Sequence, residues 1–171
     1  METVSGSVLV TYGTKNGSTA EIADLIASVL RDEGLEAQAR PPSEVTDVAP
    51  YGAVVIGGAL YMGRWHRDAR RFVRRHRRAL RERPVWLFSS GPLDPSASER
   101  EIPPVPGARR AQRRTDARGH VTFGGRLQTG AKGRMAKAIL DEGRGGDFRD
   151  LPRVAEWAAR VAADIRAPEG L

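Results

Sequence analysis

The sequence predicts an α/β fold in which a doubly wound, five-stranded parallel sheet is covered by helices on both faces. Short apolar runs alternate with segments of helical periodicity, which is the pattern of repeated βαβ units. Two runs, 53–57 and 85–88, are apolar without interruption, as expected of strands buried on both sides. A chain of 171 residues has the size of one domain. We assign 7–166 to that domain, 1–6 to a flexible N-terminus and 167–171 to a short tail.

The individual elements follow from the spacing of apolar residues. Runs rich in β-branched residues predict strands at 7–12, 35–39, 53–57, 85–89 and 120–125. Apolar residues at i, i+3, i+4 and i+7 predict helices at 18–33, 65–81, about 130–141 and 151–165, with a shorter helix within 106–117. Asp150 is the expected N-cap of the last helix, because Pro152 then lies in its first turn.

The loop after the first strand has the composition of an anion site. Residues 13–19 are small, hydroxyl-bearing or amide-bearing except for Lys15, and a helix follows at once. Free backbone N–H groups and the positive end of the helix dipole meet at such a helix start, so the loop predicts a phosphate site. Ser18 and Glu21 match a capping box. The alternative is an ordinary polar turn between strand and helix.

Two common phosphate-binding motifs are excluded at this loop. A Walker A loop ends in Gly-Lys-Ser/Thr, whereas Gly17 is followed by Ser18 and Thr19 without a lysine. A dinucleotide fingerprint needs three glycines as G-x-G-x-x-G, whereas Gly13 and Gly17 are the only glycines of this loop. The loop therefore suits a monophosphate that is held and not transferred.

The same residues resemble the phosphate loop of the flavodoxin family, usually S/T-x-T-G-x-T. Thr14, Gly17 and Thr19 match this pattern, and Asn16 departs from it. A basic residue followed by Asp or Asn and then Gly-x-Thr is similar to the menaquinone-dependent protoporphyrinogen dehydrogenases. Residues 57–66 resemble the second flavin loop of that subgroup, although 94–106 are short and proline-rich where the subgroup typically carries a longer insertion. The resemblance implies a flavodoxin-like sheet of order 2-1-3-4-5, with ligands at the switch point between strands one and three.

The resemblance also implies FMN as the cofactor and identifies its binding residues. The expected phosphate contacts come from side-chain donors and backbone N–H groups of Thr14, Lys15, Asn16, Gly17, Ser18 and Thr19. The expected ring contacts come from the loops after strands three and four, at Leu60, Tyr61, Met62, Gly63, Ser90, Gly91 and Pro92. Glycines at 57, 58, 63 and 91 would let the backbone approach the ring closely. The alternative for Tyr61 and Trp65 is packing against the helix that follows.

The positive charge of the chain is concentrated in one segment. The net charge is +7, and residues 64–83 hold ten arginines against Asp68 and Glu82, so they carry +8 and the remaining residues carry −1. Like charges at i, i+3 and i+4 repel, and an anionic partner would offset that repulsion. Candidate partners are an acidic membrane surface, a polycarboxylate substrate or an acidic protein. Nucleic acid is disfavoured because no aromatic residues are interleaved for base stacking. The alternative is a solvated helix face.

Composition excludes several other chemistries. Without cysteine the chain has no disulfide, iron–sulfur cluster or thiolate nucleophile, and the three scattered histidines predict no metal site. The N-terminus lacks a signal-peptide pattern and no apolar run approaches the roughly 18–20 residues that span a bilayer. We therefore expect a cytoplasmic protein, with peripheral contact to the inner face of the membrane through residues 64–83.

Three functions remain open on the sequence. The first is an FMN-dependent oxidoreductase resembling protoporphyrinogen dehydrogenase, with a quinone or other acceptor, in which Arg64, Trp65 and Arg67 contact an anionic substrate and the flavin carries the chemistry. The second is a flavodoxin-type electron carrier with an acidic partner. The third is a flavodoxin-like binding domain without cofactor. No residue stands out as an essential acid or base.

Overall fold

The structure is a computed structural model that describes residues 7–14, 17–91, 101–127, 146–147 and 149–167. Three predicted contact residues, Lys15, Asn16 and Pro92, lie outside the described residues, as do the predicted helix at about 130–141, the N-terminal segment 1–6 and most of the predicted C-terminal tail.

A mainly parallel sheet forms the centre of the protein. Its strands are β1 (Ser7–Gly13), β2 (Ala37–Arg40), β3 (Tyr51–Tyr61), β4 (Arg64–Trp65), β5 (Val85–Ser90) and β6 (Gly119–Phe123). The parallel strands lie in the order β2-β1-β3-β5-β6, and β4 pairs antiparallel with the end of β3. Without the short β4 this is the predicted order 2-1-3-4-5, so the predicted fold class is confirmed. Two further short strands, β7 (Arg126–Leu127) and β8 (Gly146–Asp147), pair separately.

Helices cover both faces of the sheet. They are α1 (Ser18–Asp32), α2 (Arg67–Arg75), α3 (Arg77–Arg81), α4 (Pro106–Thr115) and α5 (Leu151–Arg166). Helices α1 and α5 pack together on one face, where Ile22, Ile26 and Trp157 join the buried core. Helices α2, α3 and α4 share the second core on the other face, around Phe72 and Leu80. The Asp150 side chain accepts a hydrogen bond from the Arg153 N–H (3.1 Å), which confirms the predicted N-cap of α5.

The basic segment differs most from its predicted form. A single helix over 65–81 was expected, but Trp65 belongs to β4 and the helical part is divided at His76, whose backbone (φ −109°, ψ 17°) leaves the helical region. The His76 ring is buried and lies 4.6 Å from the Phe72 ring, centroid to centroid. Burial, followed by the charge of Arg75, lowers the pKa of His76. A neutral ring therefore anchors the break in the core.

Two glycines of β3 are explained by packing inside the protein. A Cβ atom on Gly57 would lie 2.0 Å from the Phe88 ring, and one on Gly58 would lie 2.4 Å from the Trp65 indole nitrogen. The expectation that these two glycines make room for a ligand ring is wrong, because aromatic side chains of the chain itself fill both spaces. One ring lies on each face of the strand, since successive strand residues point to opposite faces.

Arg83 connects the segment before β3 to the end of α3. Its guanidinium donates hydrogen bonds to the carbonyl oxygens of Val48 and Tyr51, both at 2.7 Å, and its Nε–H donates to the Ala79 carbonyl (2.8 Å). This arginine is therefore committed to the backbone, unlike its exposed neighbours on α2 and α3.

Candidate functional site

The loop after β1 ends at a helix start that is held open by glycine. Gly17 is the N-cap of α1 with φ 84°, a left-handed conformation that favours glycine. Its N–H donates to the Thr14 hydroxyl oxygen (3.2 Å), and the first backbone bond of the helix runs from the Glu21 N–H to the Gly17 carbonyl. The N–H groups of 18–20 therefore lie outside the helical ladder, as at any helix start, and remain available for an anion.

The predicted capping box is wrong. Gly17 occupies the N-cap, so Ser18 is already the first helical residue, and Glu21 pairs with Arg149 instead of reaching back to the cap. As a result Ser18, 8% exposed, has a buried hydroxyl oxygen without a hydrogen-bond partner among the described residues. A buried hydroxyl without a partner is costly, and a ligand oxygen at the helix start would satisfy it.

Thr19 and Ser90 bond to each other across the base of the site. Their hydroxyl oxygens are 2.7 Å apart, and both side chains are buried. Thr19 is one of the predicted phosphate contacts, and in the ligand-free structure its hydroxyl bonds to Ser90 of β5, so this side chain also fixes the helix start. Next to Ser90, the Gly91 N–H donates to the Phe123 carbonyl (3.0 Å), and a Cβ on Gly91 would lie 2.6 Å from that of Leu60.

The loop predicted after the third strand is a tight hairpin between β3 and β4. Leu60 and Tyr61 are strand residues that pair with Trp65 and Arg64. The two turn residues both have positive φ, 51° at Met62 and 73° at Gly63, as the common two-residue hairpin turn requires. Methionine rarely adopts such a backbone conformation. Met62 is 79% exposed at the tip of the hairpin.

A cleft of about 870 Å³ lies between this hairpin, the start of α2 and Thr14 at the start of the loop after β1. It has the size of typical small-molecule sites. Of the described residues predicted for the site, Thr14, Tyr61, Met62, Arg64, Trp65 and Arg67 line this cleft, whereas Gly17, Ser18, Thr19, Leu60, Gly63, Ser90 and Gly91 do not. Its walls are formed by Thr14, Tyr61, Met62, Arg64, Trp65, His66, Arg67, Asp68 and Arg70.

The predicted contact between the Trp65 ring and a substrate does not fit the structure. Trp65 is 0% exposed, and its indole N–H donates to the Phe88 carbonyl (3.1 Å). The ring therefore packs in the core beneath the cleft. Arg64 and Arg67 are exposed at the cleft wall, where the prediction placed them.

Sequence reasoning missed three residues of the cleft, His66, Asp68 and Arg70. The His66 Nδ1 accepts a hydrogen bond from the Asp68 N–H (3.0 Å) and so caps α2. Arg70 donates its Nε–H to the Trp65 carbonyl (3.1 Å), and its side chain lies against Gly107 at the start of α4. The spacing of a histidine two residues before an aspartate, directly after a strand, could have indicated the cap. The position of Arg70 depends on a helix 36 residues further along, which local sequence cannot show.

Searches for two other kinds of site gave no candidate within the described ranges. No group of three or more His, Asp or Glu residues there is arranged to hold a metal ion. None of the helices in that part of the chain is long and apolar enough to cross a membrane.

Comparison with known proteins agrees with the geometry of the fold. A family model described as a flavodoxin domain matches residues 9–142. Protoporphyrinogen IX dehydrogenase [quinone] of Escherichia coli K12 is 30% identical over 83 residues, which cover 47% of this chain and 46% of the relative. The matched part is thus less than half the length of that relative. The protein of the same name from Escherichia coli O157:H7 matches over the same extent.

Solved structures share the fold at low sequence identity. A flavodoxin mutant from Pseudomonas aeruginosa superimposes with a TM-score of 0.63 at 15% identity, covering 94% of this chain and 99% of its own. A flavodoxin from the domain Archaea gives a TM-score of 0.62 at 11% identity over the same shares. Rubredoxin oxygen:oxidoreductase of Desulfovibrio gigas gives 0.60 at 13% identity, covering 97% of this chain and 38% of its own. Because the family model spans well over half of the sequence, the chain belongs to the flavodoxin domain family.

Proposed function

We propose that the protein is an FMN-dependent oxidoreductase that oxidises a reduced, carboxylate-bearing substrate of the protoporphyrinogen type and passes the electrons to a quinone or another acceptor. The observation that carries the cofactor assignment is the Ser18 hydroxyl, buried without a partner at the open start of α1. A phosphate oxygen at this point would satisfy the hydroxyl and accept from the N–H groups of the first helical turn.

The residues around the loop fit a phosphate. Apart from its chain neighbours, no described residue has an atom within 4 Å of the position where a Cβ on Gly17 would stand, so the loop surface is open toward the described part of the fold. Thr14 fixes the loop by accepting from the Gly17 N–H, and the pair Thr19–Ser90 fixes the helix beneath it. These contacts preorganise the donors before any ligand arrives. FMN supplies hydride-accepting chemistry at its ring when it is bound.

The substrate assignment rests on the charge of the cleft. Among the described residues that line it, Arg64, Arg67 and Arg70 stand against one carboxylate, that of Asp68. The start of α2 adds the positive end of a helix dipole. Guanidinium groups bind carboxylates in a bidentate geometry. Arg67 and Arg70 lie about one helical turn apart on α2, so they suit a substrate with two carboxylates. Tyr61, half-buried, also lines the cleft and would offer an aromatic surface to the ligand.

The partial match to protoporphyrinogen IX dehydrogenase, 30% identical over 83 residues, supports the reaction class. The activity named for that relative is therefore carried to this chain as part of the proposal. An electron carrier with an acidic partner is the second candidate, because the positive charge beside the cleft would steer an acidic protein to it.

Two measurements test the proposal in sequence. The absorption spectrum of the purified protein, with the released cofactor identified, should show FMN; a protein that binds no flavin under saturating FMN would overturn the assignment. Anaerobic turnover of a porphyrinogen with a quinone acceptor should then be observed. Flavin reduction and reoxidation by acidic redox proteins, without porphyrinogen turnover, would favour the carrier.

A further inference from the structure

The exposed arginines of three helices form one continuous basic surface, which we call the arginine face. It consists of the exposed arginines of α2, α3 and α4, and it is larger than the segment 64–83 that the sequence singled out. The three helices pack side by side on the same face of the sheet around a shared core. At one end Arg81 donates to the Arg113 and Arg114 carbonyls (3.1 and 3.3 Å), which joins α3 to α4. The structure thus adds the basic helix α4 to the basic segment that forms α2 and α3.

The charge of this face is strongly one-sided. The three helices contain twelve arginines and one acidic residue, Asp68, and so carry +11, whereas the whole chain carries +7 and the remaining residues therefore carry −4. None of the ion pairs between described residues joins an arginine of these helices to a carboxylate. Close ion pairs among the described residues therefore do not offset the repulsion between these arginines, and an anionic partner would do so.

The chemistry of the face favours a lipid surface over other polyanions. None of the described aromatic side chains is exposed, so the face offers no ring for stacking on bases. It also lacks the aromatic anchor that usually fills the centre of a protein interface. It has instead one exposed apolar tip at its border, Met62, on the hairpin whose strand β4 contacts α4. A broad field of guanidinium groups with an apolar tip at its edge matches phosphate headgroups above an acyl layer.

We propose that the arginine face docks the protein on an anionic lipid bilayer, with Met62 at the interface and the cleft mouth beside the headgroups. Arg67 belongs both to the face and to the cleft wall, so docking would place the cleft at the membrane surface. This proposal does not depend on flavin binding or on turnover, and its test needs neither.

The test is co-sedimentation of the full chain with vesicles of phosphatidylcholine, with or without phosphatidylglycerol. We expect binding only to the anionic vesicles, falling at least tenfold between 0.01 and 0.15 M salt as the screening length decreases. The double variant Arg74→Glu with Arg110→Glu, one change on each of α2 and α4, should weaken binding at least tenfold. Met62→Ser should weaken it severalfold without any change in charge.

A matched control separates the face from the net charge. Arg40→Glu with Arg160→Glu makes the same total change at exposed positions on β2 and α5, and it should leave binding nearly intact. If either double variant fails to fold by circular dichroism, the corresponding glutamine variants replace both pairs. The proposal would be overturned if both double variants lost vesicle binding equally, or if the protein bound neutral vesicles as tightly as anionic ones. Tighter binding to duplex DNA or to polyglutamate than to anionic vesicles at the same salt would also overturn it.

Discussion

The hydroxyl oxygens of Thr19 and Ser90 lie 2.7 Å apart in a buried contact that joins the first turn of α1 to the last residue of β5. The contact connects two of the three loops that were predicted to surround the ligand, although 71 residues separate its partners. It holds the helix start, and with it the donors of the first turn, in a fixed place above the sheet.

Breaking this contact should lower stability in a coupled way. We expect Thr19→Val and Ser90→Ala each to lower the free energy of unfolding by about 1–3 kcal/mol, because each leaves a buried hydroxyl unsatisfied. The double variant should cost less than the sum of the two, since it removes both hydroxyls. Urea unfolding of the four proteins measures the coupling. Strict additivity would show that the two hydroxyls do not depend on each other.

Ser18→Ala should have opposite effects on the protein alone and on ligand binding. The buried hydroxyl has no partner among the described residues, so its removal should leave the ligand-free protein unchanged or slightly more stable. If Ser18 binds the FMN phosphate, the same change should weaken FMN binding by about 1–3 kcal/mol. Thermal unfolding without ligand and titration with FMN measure the two effects.

Riboflavin is the control for this prediction, because it lacks the phosphate. It should bind to the unchanged protein far more weakly than FMN does. Its affinity should not change in the Ser18→Ala variant. Equal affinities for FMN and riboflavin would contradict the assignment of the loop. Thr14→Ala should weaken FMN binding as well, because Thr14 holds the loop through the Gly17 N–H.

The two aromatic residues beside the cleft should respond differently to substitution. Tyr61 is half-buried at the cleft, so Tyr61→Ala should increase the emission of bound flavin or shift its reduction potential. Trp65→Phe removes the donor to the Phe88 carbonyl and should lower stability while leaving the flavin spectrum unchanged. Flavin fluorescence and thermal unfolding of both variants decide this. A spectral change in Trp65→Phe alone would reverse the two roles.

The hairpin tip should accept residues that tolerate positive φ. Met62→Asn should raise the free energy of unfolding by about 0.5–1 kcal/mol, because asparagine adopts the left-handed region more readily than methionine. Met62→Val should lower it, since a β-branched residue is strained there. Thermal unfolding of the pair measures the difference. Equal midpoints for the two variants would show that the tip is relaxed in solution.

His120 should make stability fall in mild acid. Burial lowers its pKa to about 4, while in the unfolded chain it titrates near 6.5. As the pH falls from about 6.5 to about 4, the histidine is therefore protonated in the unfolded state before it is protonated in the native state. This lowers the free energy of unfolding by on the order of 2–3 kcal/mol. Its Nε2 also lies 2.8 Å from the Ser89 hydroxyl oxygen, a contact that suits the neutral ring. In urea unfolding, the free energy of unfolding of the His120→Gln variant should fall less over this pH range than that of the unchanged protein. Identical pH profiles of the two proteins would contradict the assignment.

Local pattern was enough to predict the fold, but not the contacts that shape the site. The alternation of strands and helices and the position of the first loop could be predicted because each depends on neighbouring residues. The identity of the N-cap could not, because Gly17 competes with Ser18 through a left-handed backbone that composition does not reveal. The Trp65 ring was assigned to the cleft because the sequence cannot show that Gly58 provides a space for it inside. Long-range pairs, such as Thr19 with Ser90, require the folded sheet.

The bonds of Arg83 to Val48 and Tyr51 affect how the segment between β2 and β3 opens. That segment has only one short 3-10 turn, Pro42–Glu44, as regular structure. A loop of this kind would ordinarily open by itself, exposing its backbone to proteases and to hydrogen exchange. Here its release also requires the hydrogen bonds from Arg83 to the Val48 and Tyr51 carbonyls to break, and Arg83 is itself held to the end of α3 through the Ala79 carbonyl. The loop is therefore expected to be cut slowly by proteases.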